Sequence, residues 1–316
     1  MSSEIFNICG KSITQRGLNK IELDVADLAS GTKIFLPLYV FSGKKPGKNV
    51  LLIGGLHGDE INGMEIVRRM ILELKNRGLE RGSVIAIPLL NIYGFINFSR
   101  DVVEGKDINR SFPGSSKGSL AARLAKILSE KIIPQIDLSI DFHTGGATRY
   151  NYPQIRYSKG HEESEKLAAI FNAPVTIASN IIPKSFRAEC INQDKPVIVF
   201  EGGESKRMDT ISIEKGILGT LNVLAKNELI DEDFMRNNSR KFENSRWIRA
   251  EEAGLFILSK KSGEIISKDE KLGRIAQIDH EKSEIEVVSD QNGMIIGHNN
   301  SPVINQGDAL FHIAYE

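Results

Sequence analysis

Val50-Leu-Leu-Ile53-Gly-Gly-Leu-His57-Gly-Asp-Glu60-Ile-Asn-Gly63 decides the fold class. Four consecutive apolar residues closed by a glycine pair read as a strand buried on both faces. From Glu60 to Leu74 the apolar residues Ile61, Met64, Ile66, Val67, Met70, Ile71 and Leu74 then fall at helical spacing. A buried strand that turns sharply into a helix is the first half of a βαβ unit. It predicts an α/β fold with a mostly parallel or mixed sheet sandwiched by helices.

The alternation continues on both sides. Ser83 to Leu90, Ile136 to Phe142, Val175 to Ala178 and Pro196 to Phe200 read as strands. Leu120 to Ile133, closed by Pro134, Leu167 to Phe171 and Ile213 to Leu224 read as helices. The pattern spans residues 48–227. Upstream, Ile21 to Val25 alternates with period two, and Ile34 to Phe41 is a more buried run. Pro37 in that run predicts an edge strand or a bulge, and Lys44 to Lys48 reads as a loop. After Leu229 the character changes. Asp231 to Arg249 is dense in charge and Asn, and no helix is expected beyond Ala250. Instead come the β-type runs Leu255 to Leu258, Leu272 to Ile278, Ile285 to Val288, Met294 to Ile296 and Ala309 to Ala314, separated by turns such as Asp279-His280. The expected organisation is an α/β domain over 1–235, with 1–47 as its β-rich start, and a small C-terminal all-β, barrel-like domain over 236–316.

Composition narrows the function. The 316 residues are 41% hydrophobic and 26% charged, as in ordinary soluble proteins. Lys+Arg 41 balances Asp+Glu 41, so a nucleic-acid partner is not expected. No segment has the apolar length of a membrane span. Two cysteines, Cys9 and Cys190, exclude a disulfide scaffold and read as free thiols in a reducing compartment. The expected location is cytoplasmic.

The chemistry collects at strand ends, where open α/β sheets bind their ligands. His57 and Glu60 stand three apart in the strand-to-helix turn, so an imidazole and a carboxylate can converge. Zn²⁺ accepts such ligands and needs a third. Ile140-Asp141-Phe142-His143-Thr-Gly-Gly146 supplies it in His143, with Asp141 as acceptor for a ligand imidazole N–H. In Val197-Ile-Val-Phe200-Glu201-Gly-Gly203 a carboxylate ends a buried strand, and Glu201 can move a proton between water and a leaving amine. Asp107-Ile-Asn109-Arg110-Ser-Phe-Pro-Gly114, with Arg100 upstream, offers guanidinium groups for a carboxylate and for an oxyanion. A lone His or Gly-rich turn is ordinarily structural; the weight lies in several such segments falling at one crevice. His161, His280, His298 and His312 lack such settings and read as solvated or barrel residues. No G-x-G-x-x-G occurs, so a dinucleotide site has little support.

At Gly55-x-His57-Gly-Asp-Glu60-x-Asn-Gly63, Asp107-x-Asn109-Arg110-x-Phe-Pro-Gly114, Asp141-x-His143-x-Gly145 and Glu201-Gly-Gly203 the chain resembles the succinylglutamate desuccinylase/aspartoacylase family. That family belongs to the zinc carboxypeptidase-like group. The resemblance implies hydrolysis of the amide bond of a small N-acyl amino acid or related amine, with one Zn²⁺ per chain. It implies His57, Glu60 and His143 as ligands, Glu201 as general base and then acid, Arg110 and Asn109 on a substrate carboxylate, and Arg100 on the carbonyl oxygen. The stretch from Arg100 to Arg110 is longer here than in aspartoacylases. The C-terminal β segment matches the family's appended barrel, whose turns resemble those of biotinyl modules. Lys260, Lys261, Lys268 and Lys271 lack the signature for an attached cofactor, and none is expected. Two alternatives stay open: a metallocarboxypeptidase acting on peptides or cell-wall fragments, and a binding protein with a vestigial metal site. A homo-oligomer is compatible with either.

Overall fold

The computed structural model describes residues 6–13, 16–27, 30–233, 238–278 and 284–316. Four parallel strands form its centre, in the order Arg81–Ile87, Lys45–Ile53, Leu138–Gly145 and Val197–Glu204. Their side chains alternate between two cores. Val50, Leu52, Ile140, Phe142, Ile198 and Phe200 face helices Ile61–Arg77, Glu162–Phe171 and Thr210–Lys226. Leu51, Ile53, Ile85, Ile87 and Val197 face the other way, against Leu124, Leu128, Ile132, Phe186 and Cys190. Every one of these positions is apolar because neither sheet face meets water.

Antiparallel strands extend the sheet on both sides, so it is mixed. On one side lie Lys33–Ser42 and then Gly17–Asp27. Pro37 pairs with Glu22, but Lys33–Ser42 meets its other neighbour only from Tyr39 onward. Pro37 therefore occupies a stretch with one free edge, where its missing N–H costs no ladder bond. On the other side come Arg149–Ser158, Gly293–Asn299, Ala309–Tyr315 and Asn244–Arg249. Val175–Ser179 also pairs with Arg149–Ser158.

Some expectations need correction. The loop expected at Lys44 to Lys48 is strand from Lys45, which pairs with Arg81. Its glycine serves close backbone approach, since a Cβ on Gly47 would meet the Gly82 nitrogen at 2.7 Å. Pro134 does not end the helical winding. Leu120–Ile127 continues through a wider turn, Leu128–Ile132, into the tight turn Ile133–Gln135, where Pro134 sits in a first-turn position that needs no N–H. Arg149–Ser158, Ile92–Ile96 and Phe186–Asn192 are elements that the hydrophobic pattern misses.

Beyond residue 240 the described residues contain no helix, as expected. A four-stranded sheet runs in the order Ile285–Val288, Lys271–Ala276, Gly254–Leu258, Val303–Ile304. Phe256, Leu272, Ile275, Val287 and Ile304 pack there against Ile295, Leu310, Phe311 and Ile313. Gly293–Asn299 and Ala309–Tyr315 also carry Met294, Ile296 and Ala314 on their opposite faces, packed on Val175 and Ile177. The C-terminal strands thus have a core of their own and also continue the large sheet. The expected boundary at 235/236 and the turn at Asp279-His280 lie outside the described residues.

Candidate metal centre

Chain topology brings the chemistry to one place. The strand Lys45–Ile53 has one parallel neighbour that follows it directly and one that follows later, so a crevice opens where the connections diverge. His57 lies in the turn that leaves this strand, and Glu60 holds the N-cap position of helix Ile61–Arg77. Glu60 makes no capping bond to its own helix; its carboxylate turns to the crevice instead. In the strand Leu138–Gly145, period two sends Ile140 and Phe142 into the core and Asp141 and His143 to the crevice. Neighbouring motif residues lock these segments together. Asn62 donates to the Gly202 carbonyl at 3.2 Å and accepts from the Asp209 N–H at 2.9 Å. Gly203 has φ +80°, and a Cβ there would meet Asn62 Nδ2 at 2.3 Å.

His57 Nδ1 lies 2.9 Å from one Glu60 oxygen, and His143 Nδ1 lies 2.8 Å from the other. The two Nδ1 atoms are 3.1 Å apart. All three residues are buried. The outward nitrogens are also engaged: His143 Nε2 with Asp141 Oδ2 at 2.8 Å, and His57 Nε2 with Asp107 Oδ1 at 3.3 Å. Two carboxylates therefore place the imidazole protons on Nε2 and leave both Nδ1 lone pairs facing one point, together with Glu60. Three electron-rich atoms converging in a buried site need a cation between them. Two nitrogens of a tetrahedral zinc site stand about 3.3 Å apart, close to the spacing here. His57, Glu60 and His143 fit a zinc ion, and Asp141 and Asp107 fit the partners that orient ligand imidazoles.

Electrostatics follow the same balance. Burial alone would keep His57 neutral, but Glu60 and Asp107 outweigh it and raise its pKa. Burial acts likewise on His143, and Asp141 and Glu60 raise that group well above the usual imidazole value. Burial would raise Glu60; His57 and His143 reverse this and hold it well below the carboxylate range. Binding of a divalent cation at these atoms requires neutral imidazoles, so it would compete with protons.

Arg100 joins the cluster. Its guanidinium donates to Glu60 at 3.1 Å and to Asp107 at 3.0 and 3.2 Å. Asn109 and Arg110 line the same cleft. Asn109 Oδ1 accepts from the Phe186 N–H at 2.8 Å, so half of that amide holds a helix start. Arg110 donates to the Asn109 carbonyl at 2.7 Å. Glu201 lines the cleft at the end of its strand.

Sequence reasoning did not assign Asp107, Asn151, Arg156, Arg187 or Trp247. Asp107 opens the Asp107-x-Asn109-Arg110 segment and faces His57 as Asp141 faces His143. Asn151 donates to Glu201 at 2.8 Å. Burial, aided by the Arg156 charge, pushes Arg187 down to about 10, still cationic at neutral pH. The cleft holds about 500 Å³, the size of a small-molecule site, and Arg110, Arg149, Arg156, Arg187 and Trp247 line it. Among the described residues, the other histidines are not part of the three-residue cluster. His161 caps helix Glu162–Phe171, His298 accepts from Ser262, and His312 stacks on Trp247. His280 lies outside the described residues. Both cysteines are free thiols.

Residues 46–226 match the succinylglutamate desuccinylase/aspartoacylase catalytic-domain family. A curated relative, N-alpha-acetyl-L-2,4-diaminobutyric acid deacetylase of Halomonas elongata, is 25% identical over 95% of this chain and 91% of its own. The product-bound ectoine utilization protein EutE (DoeB) of Ruegeria pomeroyi has a similar fold, with TM-score 0.86 and 21% identity over 96% of each chain. A succinylglutamate desuccinylase/aspartoacylase structure from Rhodobacter sphaeroides gives TM-score 0.86 and 23% identity over 96% of each chain. No helix among the described residues is long and apolar enough to cross a membrane.

Proposed function

The chain belongs to the succinylglutamate desuccinylase/aspartoacylase family, and on that premise we propose that it hydrolyses the amide bond of a small N-acyl amino acid or related N-acylated amine, with one zinc ion per chain. The observation that carries this reading is the convergence of His57 Nδ1, Glu60 and His143 Nδ1, each imidazole backed by its own carboxylate. When bound there, zinc supplies a Lewis acid for the scissile carbonyl and lowers the pKa of water toward ~7.

The chain's own residues do the rest. Glu201 takes a proton from the attacking water as its oxygen bonds to the carbonyl carbon. Arg100, held by Asp107 and Glu60, faces the oxyanion that develops. The carbon–nitrogen bond then breaks, and Glu201 passes its proton to the departing nitrogen. Arg110 and the free half of the Asn109 amide hold a substrate carboxylate. The arginines of the cleft favour such anionic substrates. In the same reading 236–316 form a second domain, whose strand Asn244–Arg249 brings Trp247 to the cleft wall.

The test is amine release by zinc-loaded protein from N-acetyl, N-succinyl and N-formyl amino acids, beside blocked and unblocked peptides. Release from small N-acyl compounds is expected, lost on chelation and lost in Glu201→Gln with zinc retained. Release from peptides alone transfers the reading to a carboxypeptidase. A Glu201→Gln variant with near-wild-type kcat overturns the mechanism, and full zinc occupancy in His57→Ala removes His57 from the site.

A further inference from the structure

We propose that Asn151 is a positioning residue for Glu201, and that the C-terminal strand Gly293–Asn299 seats it. This rests on the reading of Glu201 as general base. Glu201 stands where its strand loses regular register with both neighbours. Against Leu138–Gly145 the register shifts between Glu201 and Glu204, and against Arg149–Ser158 between Glu201 and Gly203. Such irregularities re-aim a side chain out of the sheet. They also release it from the regular ladder, so the backbone alone does not fix where a three-torsion carboxylate points.

Asn151 supplies the fixing contact. Its Nδ2 donates to Glu201 Oε2 at 2.8 Å, and Asn151 is only 5% exposed. Arg156 Nη1 is 3.6 Å from the other oxygen, Oε1, beyond hydrogen-bonding reach. One carboxylate oxygen therefore accepts a hydrogen bond, while the other faces the Arg156 guanidinium at ion-pair distance without one. Asn151 itself lies between two glycines across the strands, Gly203 on one side and Gly297 on the other. A Cβ on Gly297 would meet Asn151 Oδ1 at 3.0 Å. The strand Gly293–Asn299 joins Arg149–Ser158 through the pairs at Asn151, Tyr150 and Arg149. Main-chain pairing of the C-terminal strands thus ends on the residue that orients the base.

The experiment compares wild type, Asn151→Leu, Gly297→Ala and Glu201→Gln, each loaded with zinc, on the best substrate of the panel. Loss of one hydrogen bond to a charged group predicts a fall in kcat of about ten- to a hundred-fold in Asn151→Leu. KM and zinc stoichiometry should stay near wild type, because Asn151 acts through Glu201 and is not among the three candidate metal ligands. Gly297→Ala should lower kcat in the same direction by a smaller factor. An Asn151→Leu enzyme with kcat within about threefold of wild type, beside an inactive Glu201→Gln, overturns this inference alone. A near-wild-type Glu201→Gln overturns the reading of Glu201 and this inference with it. If zinc or KM shifts as much as kcat, Asn151 is a structural residue and the proposal fails. Should Asn151→Leu not fold, Asn151→Asp, which keeps the shape and sets a like charge beside Glu201, is judged by the same split. Failure of both to fold also assigns the side chain to structure.

Discussion

Asp107→Asn separates the two tasks of a residue that the candidate centre depends on. Asp107 Oδ1 accepts from the Asn109 N–H at 2.7 Å and faces His57 Nε2 at 3.3 Å. Oδ2 accepts from Arg100 at 3.0 and 3.2 Å. Asparagine keeps the volume but has one oxygen for these two directions. With that oxygen toward His57, the amide NH₂ points at the guanidinium and Arg100 loses its anchor. Charge-assisted bonds contribute about 1.5–3 kcal/mol each. Arg100 is 39% exposed, so water recovers part of the pair, leaving a loss of about 2 kcal/mol, or about thirtyfold in kcat/KM. With the oxygen toward Arg100, the NH₂ opposes the Nε2–H of His57, and removing such a partner weakens metal binding about ten- to a hundredfold. Zinc affinity by chelator competition and kcat/KM, measured together, catch both orientations. Asp141→Asn is the control, since Asp141 touches His143 and not Arg100; it should move zinc affinity first. An Asp107→Asn enzyme unchanged in both quantities would refute the assignment of Asp107 to His57 and Arg100.

Other consequences are as direct. Trp247, the chain's single tryptophan, stacks on His312 at 4.6 Å with Arg149 over its ring at 5.9 Å; its emission should change when substrate or product fills the cleft, and emission indifferent to saturating ligand would remove Trp247 from the wall. Gly203→Ala forces a Cβ to 2.3 Å from Asn62 Nδ2 at φ +80°, so urea unfolding should show a loss of about 2 kcal/mol or more; an unchanged midpoint would show that Asn62 moves freely. His312 has its pKa pushed down to about 3 by burial and by the Arg156 charge. The unfolded chain therefore takes up a proton near pH 6.5 that the folded one refuses, and stability falls by about 1.4 kcal/mol per pH unit as pH drops from there toward 3. His312→Gln should flatten that slope by one proton between pH 6 and 4.5 in urea titrations, and an equal slope would rule out a neutral buried His312.

The parts of this fold legible in sequence are those where packing leaves a one-to-one mark on residue type. Val50 to Ile53 reads as a doubly buried strand because alternate residues enter two different cores. His57, His143 and Glu201 stand out as candidates because each is a polar residue at or just past the end of such a run, and Glu60 because it follows His57 by three. Lys45 to Lys48 misled because Pro, Gly and Lys are read as turn formers, whereas Gly47 is there to let Gly82 approach. The continuation of the sheet into the C-terminal strands is carried by backbone hydrogen bonds, which leave little mark on residue type beyond the close approach at Gly297.

The strand Arg149–Ser158 shows why Asn151 and Arg156 escaped. Its polar members do not alternate cleanly with apolar ones: Asn151 and Gln154 are buried while Arg149 is exposed. A periodicity search passes over such a segment. Yet Asn151 bonds Glu201, Gln154 donates to the Ile296 carbonyl of the C-terminal strand, and Arg149 and Arg156 line the cleft. A strand that must bury amides for a neighbouring carboxylate and a neighbouring strand has to give up the apolar pattern that would announce it. Local inconsistency with the fold's pattern is expected where function sets the residue. The miss at 149–158 and the location of the cleft therefore have one cause.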